Sequence, residues 1–211
     1  MKRRFFIILL SLLILAGCSS GTEAEKMLES KYGVDFTLRA IEDDKYYFIS
    51  NDDYAVPVEV TYNDDEFTDN YVNGLVGSEL RNVFVSSLLD KSVSCSAEAS
   101  VYGHFITTYN ITEDLAGTCR ECGTSAGIDV IAPLDSYTEE SAQVFIDTID
   151  AMADEYGVSI IAEVSFFENY GDVLNDFKKF GINGIDRYQR SYSWRITDHN
   201  GTSAADLISS E

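Results

Sequence analysis

The stretch Val93-Ser94-Cys95-Ser96-Ala97-Glu98-Ala99-Ser100-Val101 alternates without a break between apolar or small residues and polar ones. A period of two is the mark of a strand with one face in a core and the other in water. Val93, Cys95, Ala97, Ala99 and Val101 share one face; Ser94, Ser96, Glu98 and Ser100 share the other. Beyond a turn at Gly103, Phe105, Thr107, Tyr109 and Ile111 read as the hairpin partner of this strand, and Ile128 to Leu134 as a third strand. The period then lengthens. Ala142, Phe145, Ile146, Ile149, Met152, Ala153 and Tyr156 fall on one helical stripe, with Ser136 and Glu139 placed for a capping box and Gly157 for the stop.

The same order occurs earlier in the chain. A helix is expected from Glu23 to Tyr32, with Ala24, Met27, Leu28 and Tyr32 near one face and Gly33 as its end. Three short alternating runs follow, through Val34 to Ala40, Tyr46 to Phe48, and Val56 to Tyr62, separated by Asp-rich turns. Pro57 implies that the third run lies at an edge or starts late. Phe67, Tyr71, Val72, Leu75, Val76, Val83, Phe84 and Leu88 then recur at helical spacing, and Gly74 and Gly77 either weaken that helix or let another backbone approach it closely. Toward the C-terminus come a strand from Val158 to Phe167, a helix from Tyr170 to Phe180 stopped by Gly181, and a strand from Tyr188 to Thr197. The expectation is an α+β fold of antiparallel strands with packed helices, the strand-strand-strand-helix order suggesting a duplicated unit. One domain over 23–200 is expected, then a polar tail over 201–211.

Charge narrows the function classes. The formal net charge is −21, and such a body does not bind nucleic acid electrostatically and is repelled by anionic lipid. The acidic residues cluster at Glu42-Asp43-Asp44, Asn51-Asp52-Asp53 and Asn63-Asp64-Asp65-Glu66. Each sits where a turn is needed, and none has the spaced ligands and central Gly of an EF-hand loop.

The N-terminus carries a second kind of information. Lys2, Arg3 and Arg4 form a basic head on the apolar run Phe5 to Leu15, which is the length of a signal-peptide core and short for a membrane span. Leu15-Ala16-Gly17-Cys18 follows at once and resembles the lipobox of bacterial lipoproteins. The chain as a whole resembles the small surface lipoproteins of Gram-positive bacteria, a likeness resting on residues 1 to 18 and, unspecifically, on Lys31-Tyr32-Gly33 before a strand. The resemblance implies that 1–17 is a signal peptide and that Cys18 is diacylglycerylated and becomes the first mature residue. Residues 18–22 then form a short lipidated tether, and the body sits on the extracytoplasmic face of the membrane. It carries over no catalytic residue.

Several local motifs point to chemistry. Cys119-Arg120-Glu121-Cys122 would serve a thioredoxin-like site only at a helix N-terminus after a strand, a context the surrounding sequence lacks. Cys95, His104, Cys119 and Cys122 are four residues of zinc-ligating type, but only one close pair exists among them. An exported chain more often forms a disulfide, and Cys95 to the Cys119–Cys122 loop is the expected bridge. Gly123-Thr124-Ser125-Ala126-Gly127 matches G-x-S-x-G, yet the nucleophile elbow needs a strand before Ser125 and a helix after it.

Against the acidic background, Lys178, Lys179, Arg187, Arg190 and Arg195 gather near Tyr188, Tyr192 and Trp194. Arg190, Tyr192 and Trp194 alternate onto one face of the last strand, with Arg187 and Arg195 on the other. Arginine beside aromatic side chains is the composition of a recognition surface, so Arg190, Tyr192, Trp194 and Arg195 are the candidate binding residues. The sequence therefore leads to a non-enzymatic, membrane-anchored binding or accessory module, with no cofactor, metal or nucleic acid. Its partner is an envelope protein or a polar or anionic ligand. A hydrolase using Ser125 and a thiol or zinc protein using Cys119 and Cys122 are the alternatives.

Overall fold

The computed structural model describes residues 21–43, 45–53, 55–63, 66–103 and 114–209. The chain divides after Gly74 into two compact units. No linker composition marks the division because it falls inside a helix.

The first unit begins with helix α1 (residues 21–32), so Gly21 and Thr22 of the expected tether are already helical. Gly21, Ala24 and Leu28 are buried along one stripe, and the helix ends where Gly33 adopts φ +69°. A Cβ at position 21 would lie 3.1 Å from Leu38 Cδ2, which is why a small residue stands there. Strands β1 (Phe36–Glu42), β2 (Lys45–Ser50), β3 (Pro57–Asn63) and β4 (Glu66–Asp69) form an antiparallel meander in that order. Pro57 opens its strand, where its missing N–H costs least. Phe67, expected in a helix, is in β4 opposite Tyr62. Helix α2 (Tyr71–Asp90) starts only after that hairpin closes.

The second unit contains β5 (Ser96–Tyr102), α3 (Leu115–Cys122), β6 (Ser125–Pro133), α4 (Glu139–Tyr156), β7 (Ser159–Phe167), α5 (Tyr170–Phe180), β8 (Tyr192–Thr197) and α6 (Ala204–Ser209). Its sheet has the order β5-β6-β7-β8, with β6 and β7 parallel and the outer pairs antiparallel. The expected hairpin partner over 105–111 lies outside the described residues. The two sheets do not repeat one another, because a helix separates β5 from β6 and the central pair of the second sheet runs in one direction.

Alternation gives this sheet its two sides. The register row Ala97, Val130, Val164 and Trp194 is buried on one face, with Ile128, Ala162 and Ile196 buried and Ala99 half-buried beside it. Phe145 of α4 packs there edge-on against Trp194, with Phe84 beside it. A Cβ at Gly77 would sit 2.8 Å from the Ala99 carbonyl oxygen, so α2 passes β5 at a distance only glycine permits. On the opposite face, α5 and the 3-10 turn Gly181–Ile185 cover Ile131 and Phe167 through Val173, Phe177 and Ile185.

Local signals hold with two amendments. Gly157 ends α4 at φ +63°, but the N-cap is Thr138, whose Oγ1 accepts from Ser141 N at 3.1 Å, while Ser136 belongs to a 3-10 turn. The expected polar tail is helical over Ala204–Ser209 and packs on α4, burying Ala204 and Leu207.

In the first unit, aspartates act as staples. The Asp69 carboxylate, with its side chain fully covered, accepts from Lys31 Nζ at 2.7 Å, Tyr32 Oη at 2.7 Å and Tyr71 N at 3.1 Å. It ties α1 to β4 and to the start of α2. Tyr32, Tyr71 and Phe36 form an aromatic triad beside it, and burial together with Asp69 drives the Tyr32 phenol pKa strongly upward. Asp52 accepts from Ser50 Oγ, Ala55 N and Tyr71 Oη, so this part of an acidic run closes a turn. Asp69→Ala should destabilise the first unit by about 3 kcal/mol, the scale of hydrogen bonds lost to a charged group. Urea unfolding followed by amide exchange of β1–β4 measures it, and a loss under about 1 kcal/mol would contradict the staple role.

Candidate functional site

Parallel strands β6 and β7 end together, at Pro133 and Phe167. From β6 the chain continues into α4 on the apolar face; from β7 it continues into α5 on the opposite face. Where successive connections leave a parallel pair toward opposite faces, a crevice opens at the carboxyl ends of the strands. Here it is a groove of about 480 Å³ lined by Leu134, Glu168, Asn169, Gln189, Arg190, Ser191 and Tyr192. Ser191 N donates to Phe166 O at 2.9 Å, which docks the entrance of β8 against the end of β7. Asn169 stands at the N-cap of α5 without a side-chain cap bond.

Arg190 also borders a second depression on the open face of the sheet, with Glu163, Ser165, Ser193 and Arg195. There the register aligns Glu98, Asp129, Glu163 and Arg195, one from each strand in turn. Like charges directly opposite one another across a sheet are unfavourable. The two ends of this row are compensated: Arg195 Nη1 meets Glu163 Oε1 at 2.8 Å, and Glu98 Oε2 accepts from Ile182 N at 2.9 Å. Asp129, in the middle, has its pKa raised by partial burial first and then by the Glu163 and Glu98 charges, with Arg190 opposing.

The candidate binding residues of the sequence do not all meet. Arg190 and Tyr192 line the groove. Trp194 is 2 % exposed, packed against Tyr137, Phe145 and Phe166 on the core face, and its Nε1 has no hydrogen-bond partner among the described residues. Arg195 points to the other face. Arg190 precedes β8 instead of alternating within it, because the strand begins only at Tyr192. Arg187 pairs with Asp176, which also accepts from Tyr188 Oη; those two contacts hold the Asp176 pKa down. Lys178 and Lys179 lie in the last turn of α5, complementing its dipole. Glu168, Asn169 and Gln189 carried no motif. The one local hint was Asn169, polar between an apolar strand and a helix.

The cysteine expectation is corrected. The Cys119–Cys122 segment is the end of helix α3, not a loop, with Asp114 as N-cap and Gly123 in the left-handed region. A helix C-terminus disfavours a thiolate, opposite to what a redox site requires. The Cys95 thiol is unbridged, and burial pushes its pKa up to about 12. Cys95 adjoins Ser96, opposite Ile131 near the end of β6, whereas the Cys119 carbonyl accepts from Thr124 just before β6 begins. That separation is roughly 20 Å at strand rise, against a Cα limit of about 7 Å for a disulfide. The Cys122 side chain, His104 and Cys18 lie outside the described residues. Ser125 is the exposed first residue of β6, so the strand follows it and the elbow geometry is not made. Among the described residues no group of three or more His, Cys, Asp or Glu side chains is arranged to hold a metal ion.

No protein-family model matches the chain, and no curated protein or solved structure matches it.

The groove and the adjoining acidic row offer stacking, hydrogen bonding and balanced charge, and the row holds a carboxylate at a cost to the fold. A raised folded-state pKa contributes stability that is present below the unfolded carboxylate value and lost as pH rises through the folded one. Asp129→Asn should therefore melt above the parent at pH 7, with the gap closing near pH 4. Arg190→Gln should widen it by removing the opposing cation. An Asn variant that melts below the parent at pH 7 would show that Asp129 is stabilising.

Proposed function

We propose that this chain is a non-enzymatic, lipid-anchored binding module on the extracytoplasmic face of a bacterial cell membrane, holding its ligand in the groove at the ends of β6 and β7. The observation that carries the binding role is the lining of that groove. An aromatic ring and planar polar groups gather from three separate segments, Leu134, Glu168–Asn169 and Gln189–Tyr192, at the place where the chain leaves the sheet in two directions. Groups of this kind hold and orient a molecule.

The anchor rests on Leu15-Ala16-Gly17-Cys18 after the apolar run. Two acyl chains bind a bilayer far more firmly than one, at about 0.8 kcal/mol per buried CH₂. From Cys18 to Gly21, where α1 is already under way, the chain spans at most about 11 Å, which keeps the first unit close to the lipid surface. The acidic body is repelled by anionic headgroups, so the lipid supplies the attachment.

Labelling cells with radioactive palmitate tests the anchor directly. The parent protein should carry label and sediment with membranes, and Cys18→Ala should lose both properties. Label persisting on the Ala variant would remove the assignment.

A further inference from the structure

We infer that the groove takes a neutral saccharide, with the Tyr192 ring as its stacking face; this rests on the binding role proposed above. Tyr192 lies on Tyr137 with ring centroids 4.2 Å apart and planes 13° apart, and Tyr137 in turn stacks on Trp194 at 5.3 Å. Phe166 closes the pile edge-on against both inner rings. Tyr192 is thereby fixed from behind while 38 % of it stays exposed. A ring immobilised in advance loses little entropy when a ligand lands on it. The face of an aromatic ring is electronegative, and the C–H bonds on the face of a sugar ring present the complementary positive edge.

The rim of the groove suits hydroxyl groups, which donate and accept at once. Glu168 accepts, Arg190 donates through a planar fork, and Asn169, Gln189 and Ser191 do both. Of the three arginines between 187 and 195, Arg187 is paired with Asp176 and Arg195 with Glu163. Among the described residues, Arg190 has no carboxylate within ion-pair distance. One carboxylate and one guanidinium in the lining leave the groove close to neutral. The surrounding net charge of −21 works against a polyanion. A purely anionic or cationic ligand would use only half of this rim; a polyol uses all of it.

The test uses the full-length lipidated protein in detergent micelles, titrated calorimetrically with maltotetraose, chitotetraose and, separately, inorganic phosphate. At least one tetrasaccharide should bind saturably, with an affinity unchanged between about 0.05 and 0.5 M NaCl because no net charge is exchanged. Gln189→Ala should weaken it about tenfold with melting unchanged. Tyr192→Ala should weaken it as much, but it also loosens the ring stack, so Tyr192→Phe, expected to bind as the parent does, separates stacking from folding. Undiminished binding in both Ala variants would place the sugar elsewhere and overturn the inference. Phosphate binding alone, lost in salt and in Arg190→Gln, would overturn the saccharide while leaving a binding module with an anionic ligand. Silence from all three probes would overturn the saccharide as well. The anchor is decided separately by labelling at Cys18.

Discussion

The parallel pairing of β6 with β7, in register from Ser125 opposite Ser159 to Pro133 opposite Phe167, governs the second unit. Two antiparallel strands can be joined by a tight turn, but a parallel pair needs a crossover long enough to return the chain to its starting end. Helix α4 is that crossover, and its Phe145, Ile149 and Met152 supply the core on the face where it passes. With one face taken, the chain after β7 goes into α5 on the other. The groove is the consequence. Both strands stop together, their continuations diverge, and the segment entering β8 closes the third side.

The same pairing explains why the open face carries a row of charge that a hairpin sheet would be expected to avoid. Glu98, Asp129, Glu163 and Arg195 each face outward by simple alternation from an apolar inner row. In-register pairing then brings three carboxylates into line. Arg195 and the backbone of Ile182 engage the two outer ones, and Asp129 bears the remaining repulsion. Arg190 opposes that repulsion and also lines the groove, so the acidic row and the proposed ligand share one side chain.

The first unit uses its negative charge differently. Asp69 and Asp52 are satisfied by phenols, a lysine, hydroxyls and backbone N–H groups, and each connects segments distant in sequence. Asp52, read from the sequence as a turn former, does close its turn and also accepts from Tyr71 at the start of α2. A carboxylate in this position is held by several hydrogen bonds at once, which makes the tyrosines around it as necessary to the fold as the apolar residues of the strands.

The local elements were legible in the sequence because their causes are local. The alternation of 93–101, the helical stripe of 142–156 and the stops at Gly33, Gly157 and Gly181 depend only on neighbours in the chain. The α+β class followed from them. Of the site, Arg190 and Tyr192 stood out by composition. Their partners did not, since Glu168, Asn169 and Gln189 are ordinary polar residues until strand register places them together. Trp194 went to the core because the alternation of β8 has two faces, and nothing within the strand says which of them its neighbours will cover. The Cys95 bridge failed for the same reason: sequence proximity says nothing of which end of β6 each thiol reaches. The amino-acid order determined the elements and their apolar faces; tertiary structure decided register, strand direction and the meeting of loops, because those depend on contacts between segments that no single segment encodes.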